Sequence, residues 1–180
     1  MPLQTRYKYL EIGAERNRNT LFRRRFSDKW ATLGISKKTP PTIVCNVDDP
    51  WTLPDARFEL VYGGHVFEHA TKPGHFLREA KRVLLPGGWL RLAVPDPSWL
   101  MKQYLTGKHT IDDCLHNLRS RKPFMHYDAY DNDKLVALFL RAGFSHVWTP
   151  PPKCSKVAMM SHGYFSTRDD RSIYIEGQKV

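Results

Sequence analysis

Cysteine is scarce in this 180-residue chain: Cys45, Cys114 and Cys154 are odd in number and far apart. A disulfide framework is therefore excluded as the source of stability, and a reducing, cytoplasmic setting is expected. Cys114 and His116 stand one residue apart, but no second close pair accompanies them, so no metal site is expected. Long apolar runs are missing too. Nothing approaches the ~20 residues of a membrane-spanning helix, and no membrane partner is expected. Arg6, Lys8 and Glu11 follow Met1 where a secretory leader would be apolar, so no leader is expected. Repeats and low-complexity segments are absent. Acidic residues are in deficit, 18 against 28 Lys and Arg, leaving a net charge of +10. Part of the excess lies in Arg16, Arg18, Arg23, Arg24 and Arg25, which suits nucleic acid, phosphorylated sugars or another acidic partner. An ordinary basic surface is the alternative.

Apolar residues make up 41% and aromatic residues 12% of the chain, which excludes disorder. The length fits one domain over residues 1–180. Strands are predicted at Tyr7–Ile12, Trp30–Ile35 and Thr42–Val47, with a short basic helix over 18–28. The most informative stretch is 60–96. Phe58–Tyr62 is apolar and β-prone and stops at Gly63-Gly64. From Pro73, the positions Phe76, Leu77, Ala80, Val83 and Leu84 recur at helical spacing. Pro86-Gly87-Gly88 is predicted to end that helix, and Trp89–Val94 to form the next strand. Two buried strands joined by a helix make a parallel βαβ unit. Helices are predicted over 97–105, 111–118 and 132–142, and the last strands over 145–149 and 171–175. The stretch between those strands, 150–170, reads as a long irregular loop. Alternating strands and helices give an α/β fold with helices on both faces of the sheet. In such sheets ligands lie beyond the carboxyl ends of the strands. Here those ends are Gly63-Gly64-His65 and Pro95-Asp96.

Three groups of residues carry a family likeness. They are Phe58-Glu59-Leu60-Val61-Tyr62 with Glu68-His69; Arg82-Val83-Leu84-Leu85-Pro86-Gly87-Gly88 with Leu90–Asp96; and Ala142-Gly143-Phe144 with Ser172–Glu176. Together they resemble the second half of a class I S-adenosylmethionine-dependent methyltransferase of a small, type 11-like branch. The resemblance implies a Rossmann-like sheet of seven strands, mostly parallel with the last antiparallel, and S-adenosyl-L-methionine as cofactor. It also implies that Glu11 and Gly13, ending strand 1, face the cofactor together with Ala14, Glu15, Arg16 and Asn17. Ala14, Glu15 and Arg16 stand where the family has further glycines. Gly34 stands where strand 2 usually ends in a ribose-binding acid. Asn46 replaces the adenine-contacting Asp, beside Val47 and with Asp48 and Asp49 near enough to substitute. Gly64 and His65 close the cofactor set. The chain reaches strand 1 within a few residues, so an open site, or one covered by a second chain as in a homodimer, is expected.

Methyl transfer to oxygen calls for a general base, and histidine is suited to it. His65, Asp96 and His126 are the candidate catalytic residues. For His65 the alternative is a turn or cofactor contact. Asp96 has the alternative of capping a helix that starts near Pro97, and His126 that of packing among Phe124, Tyr127 and Tyr130. His69 reads as a structural member of the Glu68-His69 turn. A small-molecule, sugar or glycan hydroxyl is the expected acceptor, since no Asn/Asp-Pro-Pro-Tyr motif for base amino groups is present. A nucleic-acid methyltransferase or binder, and a non-catalytic partner subunit, stay open as alternatives.

Overall fold

The computed structural model describes residues 6–13, 29–36, 41–119, 125–161, 165 and 171–180. The predicted helix over 18–28 lies outside them. Within them the order is β1 (Tyr9–Ile12), β2 (Trp30–Gly34), β3 (Ile43–Val44), β4 (Phe58–Gly64), a 3-10 turn (Phe67–His69), α1 (Pro73–Val83) and β5 (Leu84–Pro95). Then come α2 (Pro97–Leu105), α3 (Ile111–Arg119), α4 (Asn132–Arg141), β6 (Ser145–Trp148), a second 3-10 turn (Ala158–Ser161) and β7 (Ser172–Gln178). The seven strands form one sheet in the order β3-β2-β1-β4-β5-β7-β6. β1 to β5 pair in parallel, and β7 runs antiparallel to both β5 and β6. The expected Rossmann-like architecture is the observed one.

Each face of the sheet is read from the alternation along its strands. One carries Leu10, Leu33, Val61, Leu90 and Leu92, packed under Phe76, Leu77 and Ala80 of α1 and Leu135 and Phe139 of α4. Both helices have clear ends. Pro73 opens α1, while the Asp131 carboxylate accepts the Lys134 N–H at 2.8 Å to cap α4. The other face carries Trp30, Leu60 and Tyr62. Among the described residues, its cover is Met160 and Phe165 from the β6–β7 connection.

That connection is held by a buried ion pair. Arg91 of β5 and Glu176 of β7 meet at 2.6 Å, both wholly buried. The Glu176 carboxylate also accepts from Trp148 Nε1 at 2.9 Å, the Lys156 N–H at 2.9 Å and the Ser155 hydroxyl. Arg91 Nη1 donates to the Cys154 carbonyl at 3.0 Å, and its guanidinium lies 4.8 Å from the Tyr174 ring centre. The segment predicted as an irregular loop is thus a cover tied to the sheet.

Two boundaries differ from expectation. β3 is only two residues long, because the backbone turns at Asn46, whose side-chain oxygen accepts the Asp48 N–H at 3.1 Å. Pro86-Gly87-Gly88 does not separate helix from strand: β5 starts at Leu84, directly after α1. Phe58 pairs with Leu84 and Leu60 with Trp89, so the Pro-Gly-Gly segment is a bulge inside β5. Gly87 has φ +79°, and its N–H donates to the Lys179 carbonyl at 2.7 Å, anchoring the bulge to the end of the chain.

Asp48 ties the β3 end to the start of α1. Its carboxylate accepts from Thr71 N at 3.1 Å, Thr71 Oγ1 at 2.7 Å and Lys72 N at 3.0 Å. Burial pushes the carboxyl up, but these hydrogen bonds outweigh it and hold its pKa below the ordinary aspartate value.

Replacing Glu176 by Ala strands Arg91 in the interior and is expected to cost ~3–5 kcal/mol in urea denaturation. Glu176→Gln, which keeps hydrogen-bond acceptance, is expected to cost less. Asp48→Ala is expected to lower stability by ~1–2 kcal/mol at neutral pH. Because the native pKa lies below the unfolded one, the wild-type advantage is full above ~pH 4 and shrinks as pH falls through the native pKa. Melting curves of the two proteins at several pH values check this; a gap that widens in acid would contradict it.

Candidate active site at the strand ends

The register of the central strands lines up their carboxyl ends. Ile12 pairs with both Leu33 and Gly63, so the next residues, Gly13, Gly34 and Gly64, end three adjacent strands at one level. Two of these glycines lie under neighbouring side chains, Gly13 against Val66 and Gly64 against the Tyr62 hydroxyl, so the strand ends are closely packed there. Gly13 takes φ +75°, and a Cβ there would stand 2.8 Å from Val66 Cγ2, so only glycine fits. Glycine at the ends of three adjacent strands fits a nucleoside-containing cofactor lying beyond them. Glu11 is half-buried on β1 beside Thr32 and Tyr62. Asn46 and Val47 follow β3 at the same edge; the Asn46 oxygen is occupied by the Asp48 N–H. Asp48 cannot serve as a substitute adenine anchor, since its carboxylate is spent on Thr71 and Lys72. Ala14, Glu15, Arg16 and Asn17 lie outside the described residues.

Immediately past Gly64 the chain turns at His65, whose backbone is left-handed with φ +52°. A non-glycine residue there is strained, and such strain gathers at functional sites. The His65 N–H donates to the Ala93 carbonyl at 2.8 Å, which fixes the turn against β5. Its ring is held at one nitrogen and faces a carboxylate with the other. Nε2 is 3.0 Å from Ser172 Oγ, and Nδ1 is 3.4 Å from Glu68 Oε1. The second distance is within ion-pair range, although neither atom has an aligned hydrogen bond.

Glu68 is itself 1% exposed, and among the described residues neither of its carboxylate oxygens has a hydrogen-bond partner. Three imidazoles surround it. His69 Nε2 lies 4.0 Å from Oε1, and the His69 and His126 ring centres are 4.8 Å apart. Burial pushes the His126 imidazole below the ordinary histidine pKa, against the opposing pull of Glu68. Two hydrogen bonds bring His126 here: His69 Nδ1 with the Met125 carbonyl at 2.9 Å, and Tyr127 N–H to the Glu68 carbonyl at 2.8 Å.

His65, Asp96 and His126 are brought together on the wall of one cavity of about 810 Å³. Trp99, Gln103, Asn117 and Arg171 complete much of its lining. Arg171 lies over Trp99, with the guanidinium 4.8 Å from a ring centre. Asp96 accepts the Ser98 N–H at 2.8 Å and caps α2, so its helix-capping reading holds while its carboxylate also lines the cavity. Other sequence candidates fall elsewhere. Cys114 is buried with its thiol donating to the Leu100 carbonyl at 3.5 Å, and His116 is exposed. Ser172 is the residue that sequence reasoning missed: a lone serine at the start of a strand carries no signal until the antiparallel pairing sets it opposite Pro95.

A family model described as a methyltransferase domain matches residues 14–92. No curated protein matches the chain. Among solved structures, an S-adenosylmethionine-dependent methyltransferase of Thermotoga maritima superposes with a TM-score of 0.63 at 19% identity, over 96% of this chain and 82% of that one. One from Archaeoglobus fulgidus gives 0.64 at 12% identity, over 96% and 86%. Phosphoethanolamine N-methyltransferase 2 of Haemonchus contortus, in complex with S-adenosyl-L-methionine, gives 0.58 at 12% identity, over 99% of this chain and 50% of that one. Residues 14–92 are thus similar to a methyltransferase domain, and the chain as a whole has the fold of S-adenosylmethionine-dependent methyltransferases.

Proposed function

We propose that the protein methylates a hydroxyl oxygen of a small-molecule, sugar or glycan acceptor, with His65 as general base. The observation that carries this reading is the placement of His65. It follows Gly64 directly, is strained into a left-handed turn, and faces the cavity with its ring held by Ser172 and turned to Glu68. When bound, S-adenosylmethionine supplies an electrophilic methyl group on its sulfonium. Gly13, Gly34 and Gly64 end the strands beyond which it lies; Glu11, Asn46 and Val47 border that edge. The acceptor sits across the same edge, between His65 and the α2–α3 side of the cavity.

The acceptor oxygen must lose a proton as it attacks. The Ser172 hydroxyl, 3.0 Å from His65 Nε2, accepts that proton as its own passes on to Nε2. Asp96 and His126 contribute polar contacts for acceptor hydroxyls, and Trp99 a flat apolar wall suited to a sugar ring. Holding nucleophile and methyl in line is the larger share of the catalysis, worth ~7–11 kcal/mol in well-oriented reactions. No helix among the described residues is long and apolar enough to cross a membrane.

Transfer of labelled methyl to a panel of sugars and nucleotide sugars tests the acceptor class. On an accepted sugar, His65→Ala is expected to lower turnover by ~10²–10⁴. Binding of S-adenosylhomocysteine by calorimetry should stay unchanged in the same variant. Unchanged turnover would remove His65 as the base. Lost cofactor binding would make it a cofactor contact instead.

A further inference from the structure

The geometry points to a site for a first-row divalent cation, of the zinc class, held by Glu68, His69 and His126. Their ligand atoms, one from each residue, all lie within 4.8 Å of one another. Around one ion with bonds of ~2.0–2.2 Å, neighbouring donors stand ~3.3–3.5 Å apart. Small side-chain rotations close the remaining distance. Two imidazoles and one carboxylate are a ligand set that binds zinc, cobalt or ferrous iron and leaves coordination positions open.

Three independent features favour a cation over a merely structural cluster. First, Glu68 is 1% exposed, and among the described residues neither oxygen has a hydrogen-bond partner, with His65 Nδ1 at 3.4 Å and His69 Nε2 at 4.0 Å from Oε1. A buried carboxylate in that state is costly unless it is paired or coordinates a metal. Second, His69 has the arrangement of a metal ligand. Nδ1 is engaged with the Met125 carbonyl at 2.9 Å, which fixes the tautomer and aims Nε2 at Glu68. Third, the segment carrying His126 is bound to the Glu68-His69 turn at two points, Met125 carbonyl and Tyr127 N–H. The ligands are therefore brought together by one backbone hydrogen bond, Tyr127 N–H to the Glu68 carbonyl, beside the His69 ring contact already named. Cys114 and His116, whose spacing drew attention in the sequence, contribute nothing here.

His126 also lines the 810 Å³ cavity, so an open position of the ion faces that space. A hydroxyl placed on it would lose its proton more readily. That consequence rests on the methyl-transfer reading above; the cation site does not.

The test uses tag-free protein stripped with a chelator and titrated with Zn²⁺ by calorimetry, then with Co²⁺ followed by visible absorption. One equivalent is expected to bind, and the Co²⁺ spectrum should show d–d bands without thiolate charge transfer. His126→Ala and the near-isosteric Glu68→Gln are each expected to weaken binding by more than the ~10–100-fold that loss of a supporting partner costs. His116→Ala should bind as wild type does. S-adenosylhomocysteine binding, measured without metal, reports separately on the cofactor site and on folding of each variant. Absence of a stoichiometric event in wild-type protein would overturn the site. So would binding that survives both ligand substitutions, or that disappears instead in Cys45→Ser or Cys154→Ser.

Discussion

The carboxylate of Glu68 sits where β4, the 3-10 turn and the 125–127 segment converge, almost wholly removed from water and, among the described residues, without a hydrogen-bond donor. A polar group buried in that way imposes its needs on everything around it, because burying it without compensating partners is costly. His65, His69 and His126 all approach it, each from a different part of the chain. His65 is carried there by a strained turn, His69 by the 3-10 turn itself, and His126 by the hydrogen bond of its neighbour Tyr127 to the Glu68 carbonyl. The reacting edge of the molecule is organised around one acid. The proposed base and the proposed cation site would share that acid rather than form separate centres.

A second buried acid does comparable work on the far side of the sheet. Glu176 gathers Arg91, Trp148, Ser155 and Lys156, and so fastens the β6–β7 connection over strands that would otherwise expose Trp30, Leu60 and Tyr62. Buried pairs of this kind contribute little net stability over a well-packed apolar replacement, but they are strongly destabilising when broken. Their value lies in holding one arrangement. Here that arrangement runs on into β7, whose first residue, Ser172, touches His65. The ion pair and the site are thus joined through the five residues Ser172 to Glu176 of one strand.

Much of the fold was legible in the sequence because its signals are local and periodic. The spacing of Phe76, Leu77, Ala80 and Val83 matches the buried stripe of α1, and the 97–105, 111–118 and 132–142 helices fall within a residue of their observed ends. Pro86-Gly87-Gly88 misled, since the same residues that stop a helix also form a bulge, and only pairing with β4 and with Lys179 separates the two. At the site, His65, Asp96 and His126 were legible as residues near strand ends, and the structure gathers all three at one cavity. Glu68 was read as a turn residue and Ser172 passed unnoticed, because burial and cross-sheet register are tertiary facts. Asp48 looked like a spare adenine anchor until its hydrogen bonds to Thr71 and Lys72 showed it otherwise engaged.

The central claim is that a row of strand-end glycines and a buried-acid cluster face one another across a single strand end, with methyl donor on one side and acceptor on the other. A crystal structure with S-adenosylhomocysteine bound tests it most directly. The account places the nucleoside against Gly13, Gly34 and Gly64, with the sulfur on the side of His65 that opens to the cavity. A ligand lying elsewhere, or a sulfur separated from His65 by the body of the sheet, would contradict it.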